Sequence, residues 1–300
     1  MLKDPAQIRV AAVAIALVVV LGISFFGGVA WWLHRLRRRR FGRWEREIAT
    51  GAWALSGLGA LCFAYGHFVE PLWVDITRDN VVTTRLRDGE RFRIVHISDL
   101  HVEGPNRLLS GLAGKISSLR PDMVIFTGDA LNNRDGLEVF RTVLSSSEAT
   151  IGRYAVRGNQ DVGVWAEVDL FGGGVAKELR STAPVLMAGG RIALCGAPYG
   201  KTASLETCLS RAPRLAFKLL AYHSPDLIEE LRVRPDLYLA GHTHGGQVRL
   251  PKYGALVTHS KHDKKYEMGR YEVDGTVLYV NRGIGTDGGW LPGIRFMARP

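Results

Sequence analysis

Seven short apolar runs punctuate the C-terminal two thirds of this chain, and most of them end on a small or polar residue. They cover 92–98, 123–127, 154–157, 192–196, 215–223, 237–240 and 277–281. Their length and their Val, Ile, Leu and Tyr content predict buried β-strands rather than helices. Between them, 108–119, 136–144 and 225–231 repeat apolar residues at helical spacing. Strands alternating with helices predict a layered α/β domain with both sheet faces covered.

The first 70 residues follow another pattern. Residues 10–33 carry no formal charge and end in Trp31, Trp32 and Leu33, enough for a helix that crosses about 30 Å of hydrocarbon with tryptophans at the interface. A cleaved signal peptide would have an apolar region of only about 7–15 residues and a small-residue cleavage site. Here arginines follow instead. Residues 48–69 form a second apolar stretch, rich in Gly and carrying His67, and are expected to span as well. The expected organisation is a membrane anchor at 1–70, with a basic loop at 34–47, then a linker at 71–91 and a catalytic domain at 92–300.

Charge refines this picture. The net charge of +10 would suggest nucleic-acid binding if it were spread over the domain, but seven arginines and two glutamates between His34 and Glu47 place +5 of it in one short loop. A basic run between apolar segments is a membrane-proximal loop, so no nucleic-acid partner is expected and the lipid bilayer is. Such loops stay cytoplasmic, so two spans place the domain on the outer side and one span places it inside. Cys62, Cys195 and Cys208 show no CxxC spacing and read as neither a zinc knuckle nor a disulfide framework.

The candidate chemistry sits where the predicted strands stop. Asp99 and His101 follow "IVHIS", Asp129 follows "MVIFTG", Asn159 and Gln160 follow "YAVRG", His223 ends "LLAY", and His242 and His244 lie in "GHTH" after "LYLA". A Gly-Asp or Gly-Asn pair alone is ordinary turn chemistry, and a lone His223 is more often a core residue. Oxygen and imidazole donors recurring at successive strand ends point instead to a two-metal site, with Mn, Fe, Zn or Co better suited than Ca or Mg and Asp129 placed to bridge. Gly128, Gly158 and Gly241 let the backbone turn beside the ligands.

"DLH", "GD", "GNQD", "H" and "GHTH", in that order, resemble the calcineurin-like metallophosphoesterases, and "GHTHGGQ" with "VNRGIGT" resembles their membrane-anchored bacterial branch. The resemblance implies a four-layer αββα sandwich with two divalent ions, manganese being the first choice. One ion would be held by Asp99, His101, Asp129 and His244, and the other by Asp129, Asn159, His223 and His242. Asn159, Gln160 and His223 would contribute to catalysis on a phosphorylated, lipid-linked substrate at the membrane. Many members have Gly-Asn-His where this chain has Gln160, and an amide supplies no proton at neutral pH. The family includes UDP-diacylglucosamine pyrophosphatases and broad phosphodiesterases. A metal-bound interaction module without catalysis is the alternative from a different class.

Overall fold

The computed structural model describes residues 42–180, 182–287 and 293–300, together with 22, 25–29 and 31–33. The first expected span, 10–33, therefore lies largely outside the described residues, as do 34–41 of the basic loop; 25–29 and 31–33 are helical.

Helix α1 (Arg43–Phe68) begins inside the stretch read from sequence as basic loop. Its charged residues favour helix there, because the Gly42 N–H donates to Glu45 Oε2 (3.0 Å) and Arg43 pairs with Glu47 one turn on (3.1 Å). The helix is long and apolar enough to cross a membrane. Ile48, Leu61 and Phe68 are 70%, 69% and 67% exposed, so little of the described chain covers its apolar surface.

Its C-terminal end touches the domain. The Gly66 carbonyl accepts from Arg295 N (2.8 Å), His67 Nδ1 meets the Gly293 carbonyl (2.9 Å), and Tyr65 packs edge-on against Phe296. A Cβ at Gly66 would stand 2.8 Å from the Arg295 carbonyl, so the close approach requires glycine. The linker then crosses the domain without strand pairing, held by Arg282–Asp75, Arg270–Asp79 and Arg85–Asp236 ion pairs.

Two sheets stack at the centre. The smaller is parallel throughout, in the order β1 (Ile94–Ile97), β2 (Met123–Phe126), β3 (Gly152–Ala155), β4 (Lys177–Glu178). The larger contains β5 (Val185–Met187), β6 (Ile192–Gly196), β7 (Phe217–Ala221), β8 (Leu237–Ala240), β11 (Gly269–Val273) and β12 (Thr276–Val280), in the order β11-β12-β8-β7-β6-β5. Its four inner strands are parallel and its two edge strands antiparallel. A small hairpin pairs β9 (Arg249–Leu250) with β10 (Gly254–Ala255).

Three apolar cores separate four layers. Ile125, Val156, Leu194 and Leu219 fill the space between the sheets. Helices α2 (Arg107–Ser118) and α3 (Leu137–Ser145) cover the smaller sheet through Leu112, Ile116 and Phe140. Helix α5 (Thr202–Arg211) covers the larger one through Leu205, Cys208 and Leu209. This is the expected αββα order. Residues 225–231, expected to be helical, form only a 3-10 turn at Pro225–Glu229, and α5 has no counterpart in the sequence reading.

The cysteine expectation is corrected here. Cys195 at the end of β6 and Cys208 on α5 lie with Cα atoms 5.9 Å apart and form a disulfide, leaving Cys62 free. Packing α5 against the sheet brings together two residues that local spacing does not relate.

Candidate metal centre

The C-terminal ends of β1, β2, β7 and β8, with the start of the short helix α4 (Asn159–Gly163), all face one point. Parallel strands make this possible, because they place all their C-terminal loops at one edge of each sheet. The loops turn sharply. Asp99, His101, Asp129, His242 and His244 have φ of 50°, 44°, 59°, 73° and 53°, a left-handed conformation costly for residues with a Cβ. At Gly241 a Cβ would stand 2.0 Å from Ser98 Oγ and 2.3 Å from Asp99 Oδ2, so glycine lets the β8 loop close onto the β1 loop.

All seven expected ligand residues converge. His101 Nε2 and His244 Nε2 are 3.1 Å apart, and His244 Nε2 lies 3.4 Å from Asp99 Oδ1. On the other side, His223 Nε2 lies 2.9 Å from Asn159 Oδ1, 3.1 Å from His242 Nδ1 and 3.4 Å from Asp129 Oδ2. Asp129 Oδ2 is also 3.8 Å from His101 Nε2, so this carboxylate touches both halves. Among the described residues, Asp99, His101 and His244 form one group, and Asp99, Asp129 and His223 another, whose ligand atoms all lie within 4.8 Å of one another. Asp99 thus faces the second half as well as the first.

The tautomers identify what the cluster fits. His223 Nδ1 donates to the Thr127 carbonyl (2.8 Å), which leaves the Nε2 lone pair aimed at Asn159 and Asp129 oxygens. His101 Nδ1 meets Asn132 Oδ1 (2.7 Å), which leaves its Nε2 lone pair facing the Nε2 of His244. Such contacts need a proton or a metal ion between the facing atoms, and His244 Nδ1, buried without a hydrogen-bond partner among the described residues, leaves either open for its Nε2. The same demand for positive charge appears at His223, where burial lowers the imidazole pKa but the Asp129 carboxylate overrides it and pushes it up to about 9. His242 and His244 are held well below the usual imidazole range by burial and by neighbouring imidazoles. Imidazole and carboxylate donors in this arrangement suit divalent transition ions, which would take the place of the proton on His223.

A supporting layer was not assigned from sequence. The buried Asp161 accepts from the N–H groups of Asp129 (2.8 Å), Ala130 (2.9 Å) and Gly158 (2.9 Å), tying the β2 loop to α4. It stands in "GNQD", where the next carboxylate after Asn159 was the available signal. Arg295 is fully buried and donates to the carbonyls of Arg282, Gly283 and Gly285, beside Asp99. Nothing in local sequence marks it. The open side of the site is formed by Asn159, Gln160, His242, Tyr199 and His259, all half-buried. Tyr199 lies 6.0 Å from both the His223 and His242 rings. Gln160 is fixed by its backbone N–H, which donates to Asp129 Oδ1 (2.9 Å).

Comparison with known proteins agrees with this geometry. The calcineurin-like phosphoesterase pattern matches residues 92–246. The chain belongs to that family. The uncharacterized metallophosphoesterase YkuE of Bacillus subtilis is 30% identical over 85% of this chain and 94% of its own length. Phosphodiesterase YaeI of Escherichia coli is 29% identical over 88% and 97%. UDP-2,3-diacylglucosamine pyrophosphatase LpxG of Chlamydia muridarum is 26% identical over 82% and 93%. A calcineurin-like phosphoesterase is a metal-dependent hydrolase of phosphoester bonds, so this chain is an enzyme of that class.

Proposed function

We propose that this enzyme is a membrane-anchored hydrolase of phosphoanhydride bonds in a lipid-linked substrate. The observation that carries this reading is the exposed apolar helix α1, joined at its C-terminal end to the site through residues 293–300 and Arg295. A site held this way works at a bilayer surface. The pyrophosphatase name of the chlamydial relative agrees with it.

The side chains divide the work. Asp99, His101, Asp129 and His244 would hold one ion and Asp129, Asn159, His223 and His242 the other, with Asp99 also within reach of the second. Two divalent ions, manganese first among them, would supply an activated water and neutralise charge on the phosphoryl oxygens. Asp161 and Asn132 keep the donors oriented before substrate arrives. Gln160 offers an amide N–H to a phosphoryl oxygen but no proton to the leaving group. A departing phosphate monoester, with a second pKa of about 6, leaves as an anion without that proton, whereas an alkoxide does not. The bond chemistry therefore favours anhydrides.

The buried disulfide supports one topology. Disulfides persist in oxidising compartments, and the arginine loop between the two apolar segments holds that loop inside. Together they favour a domain facing away from the cytoplasm. A C-terminal reporter is expected to be active on the outer side; activity only in the cytoplasm overturns this.

The test of the bond class uses purified full-length protein with manganese in detergent. UDP-diacylglucosamine is compared with an alkyl phosphodiester under identical conditions, and faster turnover of the anhydride is expected. Equal turnover, or no gain on the diester from Gln160→His, would remove the basis for an anhydride preference. The second reading, a broad-specificity phosphodiesterase, draws on the name of the Escherichia coli relative and would then lead.

A further inference from the structure

His259 lies against both halves of the histidine cluster without belonging to either donor group. Its ring centroid is 5.9 Å from that of His242 and 6.2 Å from that of His244. The loop that carries it is anchored. Ser260 Oγ donates to Asp226 Oδ1 (2.5 Å), Lys261 N donates to Asp226 Oδ2 (2.9 Å), and Thr258 Oγ1 donates to the Asp263 carbonyl (2.5 Å). Asp226 is itself buried on the 3-10 turn that follows His223. The ring contact with His242 places the loop beside the second half of the site.

The His259 side chain stays available. Its ring nitrogens have no hydrogen-bond partner among the described residues, and it is half-buried on the open side, where Asp99, Asp129 and His223 are closed off. Substrate must enter from this side. Gln160 occupies another edge of the same opening, where its backbone is pinned to Asp129.

We propose that His259 is a catalytic residue that contacts the substrate: its ring N–H donates a hydrogen bond to an oxygen of the departing phosphoryl group. The step it supports is hydrolysis, in which a P–O bond forms to water, the water's proton passes to solvent, and the bridging P–O bond breaks. The leaving oxygen takes the bonding pair and departs as a phosphate anion, accepting a hydrogen bond from His259 but no proton. His259 thus supplies a donor that the side chain of Gln160 cannot supply alone to both ends of the reacting group. The inference rests on the phosphoanhydride reading above.

The experiment uses manganese-loaded full-length protein and its His259→Ala and His259→Asn variants. Both substitutions keep the Asp226 anchors of the loop, which come from Ser260 and Lys261. Metal content per chain, binding of inorganic phosphate by calorimetry, and kcat and KM on UDP-diacylglucosamine are measured. His259→Ala is expected to retain both ions, to bind phosphate more weakly and to lose kcat by on the order of 10²-fold with little change in KM, the effect of removing one transition-state donor. His259→Asn, whose amide N–H still donates, is expected to recover part of the loss. Loss of metal in His259→Ala, or unchanged kcat and phosphate affinity, overturns the proposal. If the wild type binds phosphate through His259 yet turns over no anhydride, the functional reading fails and the contact stands.

Discussion

Asp161 grips Asp129 by its backbone: the buried carboxylate accepts the Asp129 N–H at 2.8 Å while the Asp129 side chain turns the other way, toward His223. One acid thus aims the other. With Ala130 and Gly158 also donating to Asp161, three backbone N–H groups depend on it. Asp161→Ala leaves them buried without an acceptor, at about 1–3 kcal/mol each. Urea unfolding of metal-free protein is expected to show a loss of several kcal/mol, with Asp161→Asn intermediate because one oxygen remains.

Asp129 is expected to be the most sensitive position for metal. Its carboxylate touches His101 at 3.8 Å and His223 at 3.4 Å, so neutralising it weakens both halves. Asp129→Asn should abolish turnover and lower the manganese content, read by elemental analysis. Among the described residues Glu103 meets the site through Asn132 Nδ2 (3.3 Å), so Glu103→Ala should change either quantity little. A fully active Asp129→Asn enzyme with two ions would refute the ligand assignment.

The disulfide makes a simple count. Denatured without reductant, protein purified under oxidising conditions should show one reactive thiol, Cys62, and after reduction three. Closing a loop of this length is worth about 3 kcal/mol, so replacing Cys195 and Cys208 together by Ala should lower stability by roughly that amount. Three reactive thiols in the unreduced protein would contradict the bridge.

His96 sets an acid limit on stability. Burial alone pulls its imidazole down to about 3 from an ordinary value of 6.5, and its Nε2 meets Thr127 Oγ1 at 2.8 Å. Between those two values the unfolded chain binds a proton that the folded protein refuses, so this stability is complete above pH 6.5 and is lost as pH falls toward 3. Lowering the pH from 6.5 to 5 should cost about 2 kcal/mol through this residue. Urea unfolding of metal-free protein at both pH values should show a smaller loss in His96→Gln than in wild type.

Much of this molecule was legible in one dimension, because its strands are buried on both faces and read as continuous apolar runs. The bounds of β6 and β8 match the sequence reading residue for residue. The recurrence of Asp, Asn and His just after such runs was enough to select seven candidate ligands. Their convergence needed the sheets. Asp99 and His242 are joined only when the β8 loop folds onto the β1 loop, at a Gly241 that leaves no room for a Cβ.

What the sequence alone determined is local: strand periodicity, donor identity and an apolar, arginine-punctuated N-terminus. Only the tertiary structure decided the rest, because those relationships lie far apart in the chain. Cys195 and Cys208 meet when α5 packs on the larger sheet; Asp161 finds its three donors when the β2 and β3 loops close; His259 reaches His242 because Asp226 holds its loop. Arg295 reaches the carbonyls beside Asp99 from the far C-terminus, on the segment that grips α1. Each is a contact between loops or elements whose approach is fixed by packing of the four layers, and residue spacing carries no record of it.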